Sequence, residues 1–255
     1  MPVQDDAREQ QMVDLFNLSV PEDRRRDDID ANLDLEELDV ALPFELKSTT
    51  GTSVSTVRDF GPEHIAKWRN LHWLFAFYDK DGKKLRHCRY ASPADMASWI
   101  ADKERYVLPD LVLAQRAPQL VTDDVLVQVM GDREQYSIAD AKSIMKNQWS
   151  AQQYRDNADL ADGSYSRDRM VRLLQERCGY VIRRGATLNN PHIPGPYLNK
   201  LTRIERDHAA TLRQLVRTYL AAKLDAESRG DTVQVVVDPV VAAQAKAAAT
   251  DDATA

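Results

Sequence analysis

The pattern of this chain predicts an α/β fold: a mixed central β-sheet flanked by helices. Three observations carry that expectation. The segments "DIDANLDL" and "PFELKS" alternate apolar and polar residues with the period of two that marks half-buried strands. "LHWLFAFYD" is apolar and aromatic throughout, as a deeply buried strand is. Around these lie segments with helix start signals and helical spacing.

In chain order, residues 1–26 read as a helix, "DAREQQMVDLFNLSV", and a charged turn, "PEDRRR". Residues 27–60 read as a β-hairpin, and Pro62 is placed to start a helix over "PEHIAKWRN". "LHWLFAFYD" is the buried strand, the Asp81-Gly82 turn follows, and "LRHCRYA" returns as its partner. Ser92 caps the next helix with Pro93 in its first turn. The region 108–178 is mainly helical, and "CGYVIRRGA" reads as a late strand. "LNNPHIPGPYL" cannot be a regular helix, because three prolines interrupt it. A long amphipathic helix then runs to Gly230, with Leu201, Ile204, His208, Leu212, Leu215 and Tyr219 on one stripe. The divisions are an N-terminal helix and turn (1–26), a core (27–200) with a helical insertion (92–178), a C-terminal long helix (201–230) and a disordered tail (231–255).

The 255 residues are 43% hydrophobic, enough for a buried core. A net charge of -6 argues against a protein coated in nucleic acid, though not against a local basic groove. Basic groups at 24–26, 80–89, 167–172 and 183–184 are candidates to line one. No stretch is apolar for long enough to span a membrane, and the start "MPVQDDAREQQ" is not a secretory signal. Cys88 and Cys178 stand far apart without metal spacing, which fits a cytoplasmic location. The histidines show no zinc spacing.

The chemistry concentrates in the hairpin. Alternation puts Glu45 and Lys47 on the face opposite Phe44 and Leu46. The same rule groups Asp30, Asn32 and Asp34 opposite Ile29, Ala31, Leu33 and Leu35. Paired as a hairpin, the two segments bring Asp30 or Asp34 beside Glu45 and Lys47. Two carboxylates suit Mg²⁺, which keeps several waters and takes further oxygens from a substrate phosphate. A lysine there can hold phosphate charge or orient a water. The plainer account is a cross-strand ion pair with no chemistry.

Three blocks stand in one order. The first is Glu45-Leu46-Lys47-Ser48 with Ser55-Thr56. The second is Pro62, Ile65-Ala66-Lys67 with an aromatic at Trp68, and Trp73-x-Phe75-Ala76-x-Tyr78. The third is Asn189-Asn190-Pro191-x-Ile193-Pro194 with Tyr197. Together they resemble the PvuII branch of type II restriction endonucleases, in the PD-(D/E)XK nuclease superfamily. The resemblance covers residues 27–200, with 90–185 poorly matched. It implies a restriction endonuclease-like fold and a Mg²⁺-dependent double-strand cut at a short palindromic DNA site. The family works as a homodimer, with a cognate DNA methyltransferase as genetic partner, and the branch leaves blunt ends. It implies Asp30, Glu45 and Lys47 as catalytic residues. Asp30, Glu45 and the Leu46 carbonyl would be metal ligands, with Asp34 the alternative carboxylate. Ser55, Thr56, Asn189, Asn190 and His192 would contact DNA, Asn190 at an adenine-reading position. Where the family segment is rich in histidine, this chain has Val57-Arg58-Asp59-Phe60. Arg58 and Asp59 have the groups to read a G·C pair, or to pair with each other. The rival functions are another nuclease of the superfamily in repair or recombination, a non-catalytic DNA-binding module, and a structural domain with a chance Glu-Leu-Lys.

Overall fold

The computed structural model describes residues 4–22, 28–38, 41–57, 60–186 and 190–230. The chain divides into two compact units, one from residues up to 104 and from 190 onward, the other from 105–189. The first unit opens with α1 (Gln4–Phe16), β1 (Ala31–Leu33), β2 (Leu42–Thr49), β3 (Val54–Ser55), α2 (Pro62–Trp68), β4 (His72–Tyr78) and β5 (Leu85–Ala91). Helix α3 (Pro93–Arg116) runs across the boundary between the units. The second unit continues with α4 (Asp123–Met130), β6 (Gln135–Tyr136), α5 (Ile138–Met145), α6 (Ala151–Asp156), β7 (Tyr165–Ser166) and α7 (Arg167–Ala186). The first unit resumes with β8 (His192–Ile193), α8 (Gly195–Leu198), β9 (Thr202–Ile204) and α9 (His208–Ser228).

The expected mixed sheet is present. Its order is β1-β2-β4-β5-β9, with β2 and β4 parallel and the other pairs antiparallel. Helix α2 is the connection that parallel pairing requires. Strand β4 has neighbours on both sides and is buried at every position, which explains its unbroken apolar run. One sheet face carries Phe44, Leu46, Leu74, Ala76, Cys88, Tyr90 and Ile204, packed with Met12, Val13 and Phe16 of α1 and Leu212 and Val216 of α9. By alternation the other face presents Glu45, Lys47, Trp73 and Phe75. There Trp73 meets Trp68 of α2 and Trp99 of α3 at centroid distances of 5.4 and 6.4 Å.

Ser92 caps α3 as its sequence suggests: its hydroxyl accepts from the Asp95 amide at 3.2 Å, and Asp95 accepts from the Ser92 amide at 2.8 Å. Two expectations are overturned. "CGYVIRRGA" is not a strand but the second half of α7. Gly179, inside this helix, serves packing: a Cβ there would lie 3.0 Å from the Ala114 carbonyl and 3.3 Å from Pro118. The C-terminal helix starts at His208 rather than near 201. Residues 202–204 pair with β5, burying Ile204 opposite Cys88 and exposing Thr202 and Arg203. Leu201 and Ile204 therefore do not share a helical stripe with Leu212. The "DRRRD" run (23–27) and the tail 231–255 lie outside the described residues.

The second unit has its own core of Leu126, Tyr136, Ile144, Tyr154, Tyr165, Met170 and Leu173. Capping boxes at Ser137–Asp140 and Ser150–Gln153 start α5 and α6.

Candidate active site

The hairpin register decides which aspartate joins Glu45. Ala31 pairs with Phe44, so Asp30 comes level with Glu45 where β1 ends. A strand residue points its N–H and C=O to the same edge. At Leu46 that edge is the β1 side, and its N–H donates to Asp30 Oδ2 at 2.7 Å. The Asp30 carboxylate thus continues the ladder that β1 no longer supplies, and the Leu46 carbonyl shares its edge.

Lys47 lies between the two carboxylates. Its Nζ is 2.7 Å from Glu45 Oε1 and 3.5 Å from Asp30 Oδ2. The Glu45 side chain is 3% exposed and that of Asp30 10%. Burial disfavours charge on Lys47, but Glu45 and then Asp30 outweigh it, so its pKa is raised and it stays an ammonium.

A second cation arrives from α2. Lys67 Nζ is 3.6 Å from Glu45 Oε2 and donates to the Asp28 carbonyl at 2.7 Å. Sequence reasoning placed Lys67 in the matched blocks but gave it no role. Its signal was the parallel pairing of β2 with β4, which obliges the intervening helix to pack beside β2.

The donor set can be tested against a divalent cation. Glu45 Oε2 is buried and has no hydrogen-bond partner. Asp30, Glu45 and the Leu46 carbonyl offer hard oxygens from two adjacent strands. Mg²⁺ is held by one or two carboxylates plus water and phosphate oxygens, so this set fits it. Among the described residues no group of three or more His, Cys, Asp or Glu side chains is placed to hold a metal.

The first and third sequence blocks also meet. After β2 the chain turns through Thr49, whose hydroxyl donates to the Ser53 carbonyl and accepts from the Gly51 amide. Strand β3 then pairs antiparallel with β8, Val54 with Ile193 and Ser55 with His192. Ser55 Oγ lies 3.1 Å from His192 Nδ1, and the Thr56 hydroxyl and amide both donate to the Pro191 carbonyl. Trp99 Nε1 donates to the His192 carbonyl at 3.2 Å. Tyr197 anchors α8 to α3 through the Asp95 carbonyl. The backbone of this ribbon is held from within while Ser55, Asn190 and His192 are exposed. Arg58, Asp59 and Asn189 lie outside the described residues.

Other candidates are placed elsewhere. Asp34 accepts from Ser19 Oγ at 2.9 Å and lines a depression with Arg213 and Arg217, away from Glu45. Its register position is four residues from Asp30, roughly 13 Å along a strand. Trp68 is fully buried, stacked on Phe60 at 5.3 Å, and packs the core. His72 is buried between Phe44 and Tyr90. Several groove candidates are spent inside the fold. Arg89 donates to the Leu201 and Asn199 carbonyls, Arg167 pairs with Asp123 and Asp132, and Arg169 pairs with Glu176. Burial pushes the Cys88 thiol up to about 12, which makes it inert.

No family model matches this chain, and no curated protein matches it. No helix among the described residues is long and apolar enough to cross a membrane.

Proposed function

We propose that this chain is a Mg²⁺-dependent endonuclease of the PD-(D/E)XK type, akin to the PvuII branch, that cuts both strands of a short palindromic DNA site. The observation that carries the reading is the Asp30–Glu45–Lys47 cluster at the end of the β1–β2 hairpin, with Lys47 Nζ within 3.5 Å of both carboxylates. The β3–β8 ribbon supports it, because it joins residues about 135 positions apart into one exposed polar edge close in the chain to Lys47.

In this reading Asp30, Glu45 and the Leu46 carbonyl hold Mg²⁺, which supplies charge stabilisation and a water of lowered pKa. Lys47 remains protonated beside two carboxylates. In that form it holds the charge of the scissile phosphate and orients the attacking water. Asn190, His192, Ser55 and Thr56 face the DNA, and Arg58 and Asp59 have the groups to read a G·C pair. A palindromic site asks for a two-fold protein, so the active form is a homodimer. A cognate methyltransferase protects the host DNA, and both act in the cytoplasm.

The test is a digest of unmethylated, phage-length DNA with Mg²⁺ or with EDTA, beside Lys47→Ala and Asp30→Ala. Discrete fragments that need Mg²⁺ and vanish in both variants are expected. A Mg²⁺-dependent smear would shift the reading to a nuclease without sequence preference. Intact DNA across divalent metals and salt concentrations would leave Glu45 and Lys47 as a cross-strand ion pair.

A further inference from the structure

We propose that Lys67 is a resident counter-cation of the site, which competes with a divalent ion for Glu45 and sets how much of that ion the protein needs. The inference rests on the reading that Glu45 takes a divalent cation. Both oxygens of Glu45 face an ammonium: Oε1 is 2.7 Å from Lys47 Nζ, and Oε2 is 3.6 Å from Lys67 Nζ. The two contacts differ in kind. Lys47 is hydrogen-bonded to Oε1, whereas Oε2 has no hydrogen-bond partner and sees Lys67 as a charge only. Oε2 is therefore the oxygen whose lone pairs remain for a metal.

A divalent ion on Oε2 would stand within a few ångströms of the Lys67 ammonium and be repelled by it. Two like charges at that range oppose each other appreciably even at a high effective dielectric. Lys67 also has a second place to rest its charge. Its Nζ donates to the Asp28 carbonyl at 2.7 Å, a shorter contact than that to Glu45. The ammonium can thus stay bonded to Asp28 when Glu45 is taken. Because Asp28 lies two residues before Asp30, the same bond fixes the approach of the first carboxylate. In this proposal Lys67 acts through Glu45 and the Asp28 carbonyl, so it is a positioning residue.

The experiment is calorimetric titration of the DNA-free full-length protein with Ca²⁺ and with Mg²⁺, for wild type, Lys67→Met and Lys67→Arg. Lys67→Met should bind both ions more tightly, on the order of tenfold, and Lys67→Arg should match wild type. The Mg²⁺ concentration for half-maximal DNA cleavage should fall by the same factor in Lys67→Met. Unchanged or weaker binding by Lys67→Met, with the wild type binding normally, overturns this inference alone. Circular dichroism of each variant shows whether it has folded, and Lys67→Gln, which keeps a donor for Asp28, replaces Lys67→Met if that variant unfolds. A wild type that binds neither ion overturns the inference together with the nuclease reading.

Discussion

At the scale of single residues, this sheet buries ionisable side chains in two opposite ways. Lys47 is kept charged by two carboxylates, and His72 is kept neutral. Burial lowers the His72 pKa to about 4, helped by the nearby Lys223 ammonium, while Nδ1 lies 2.8 Å from the Tyr90 hydroxyl and Tyr219 packs edge-on. An unfolded histidine titrates near pH 6.5. Between that pH and about 4 the unfolded chain takes a proton that the folded chain refuses. The stabilisation is therefore complete above about pH 6.5 and is lost as pH falls, up to roughly 3 kcal/mol from this residue. His87, also lowered to about 4 by burial and nearby arginines, adds to the same slope. The decisive measurement is the difference between wild type and His72→Gln in urea unfolding from pH 7.5 to 4.5. The variant should be less stable at pH 7.5 and lose less stability on acidification. Parallel curves would mean that His72 is not the group that titrates.

At the scale of elements, what could be read from the sequence follows from how local its cause is. The β1–β2 hairpin, β4, β5 and the Ser92 cap were legible because alternation, an unbroken apolar run and a capping serine are short-range signals. That an aspartate of the first strand stands beside Glu45 and Lys47 was legible for the same reason, since a hairpin is local and its period fixes the faces. The choice between Asp30 and Asp34 was not, because it depends on a register that the loop between the strands sets. Lys67 was missed because its approach to Glu45 depends on the packing of α2 beside the sheet. "CGYVIRRGA" was misread because the contact that makes Gly179 useful, the Ala114 carbonyl, comes from another helix. The β3–β8 ribbon is non-local as well, and Gly195 shows how closely it fits. A Cβ at Gly195 would sit 2.9 Å from the Thr52 carbonyl oxygen, a backbone atom that cannot swing aside. Gly195→Val should push the 190–198 segment off the 51–54 turn at a cost of roughly 1–3 kcal/mol. Hydrogen exchange at Thr56, whose amide donates to the Pro191 carbonyl, should accelerate selectively. Unaltered protection of Thr56 in Gly195→Val would show that the ribbon is not held by this close approach.

At the scale of the whole molecule, each of the two units has a hydrophobic cluster of its own, and one helix, α3, runs from the first unit into the second. The sheet core contains Leu74, fully buried in the central strand, and the helical core contains Leu173, fully buried in α7. Neither leucine belongs to the other's cluster. Truncating either to alanine removes a buried side chain that its surroundings cannot fully replace, a loss of roughly 2–5 kcal/mol. If the two cores open as separate cooperative units, native-state hydrogen exchange should localise each loss. Leu173→Ala should raise exchange through α4, α5 and α7 while β2, β4 and β5 keep their protection. Leu74→Ala should do the reverse. In α3, which crosses from one unit to the other, the residues before and after 104 should follow different variants. Equal loss of protection in both units from either substitution would instead make the chain one cooperative block. The outcome bears on the proposed chemistry, because Asp30, Glu45, Lys47 and the β3–β8 ribbon all lie in the sheet unit. With independent units, Leu173→Ala at a temperature where only the helical unit opens should leave Mg²⁺ binding at Glu45 intact. Any loss of DNA cleavage would then be assigned to what 105–189 contributes beyond the metal site.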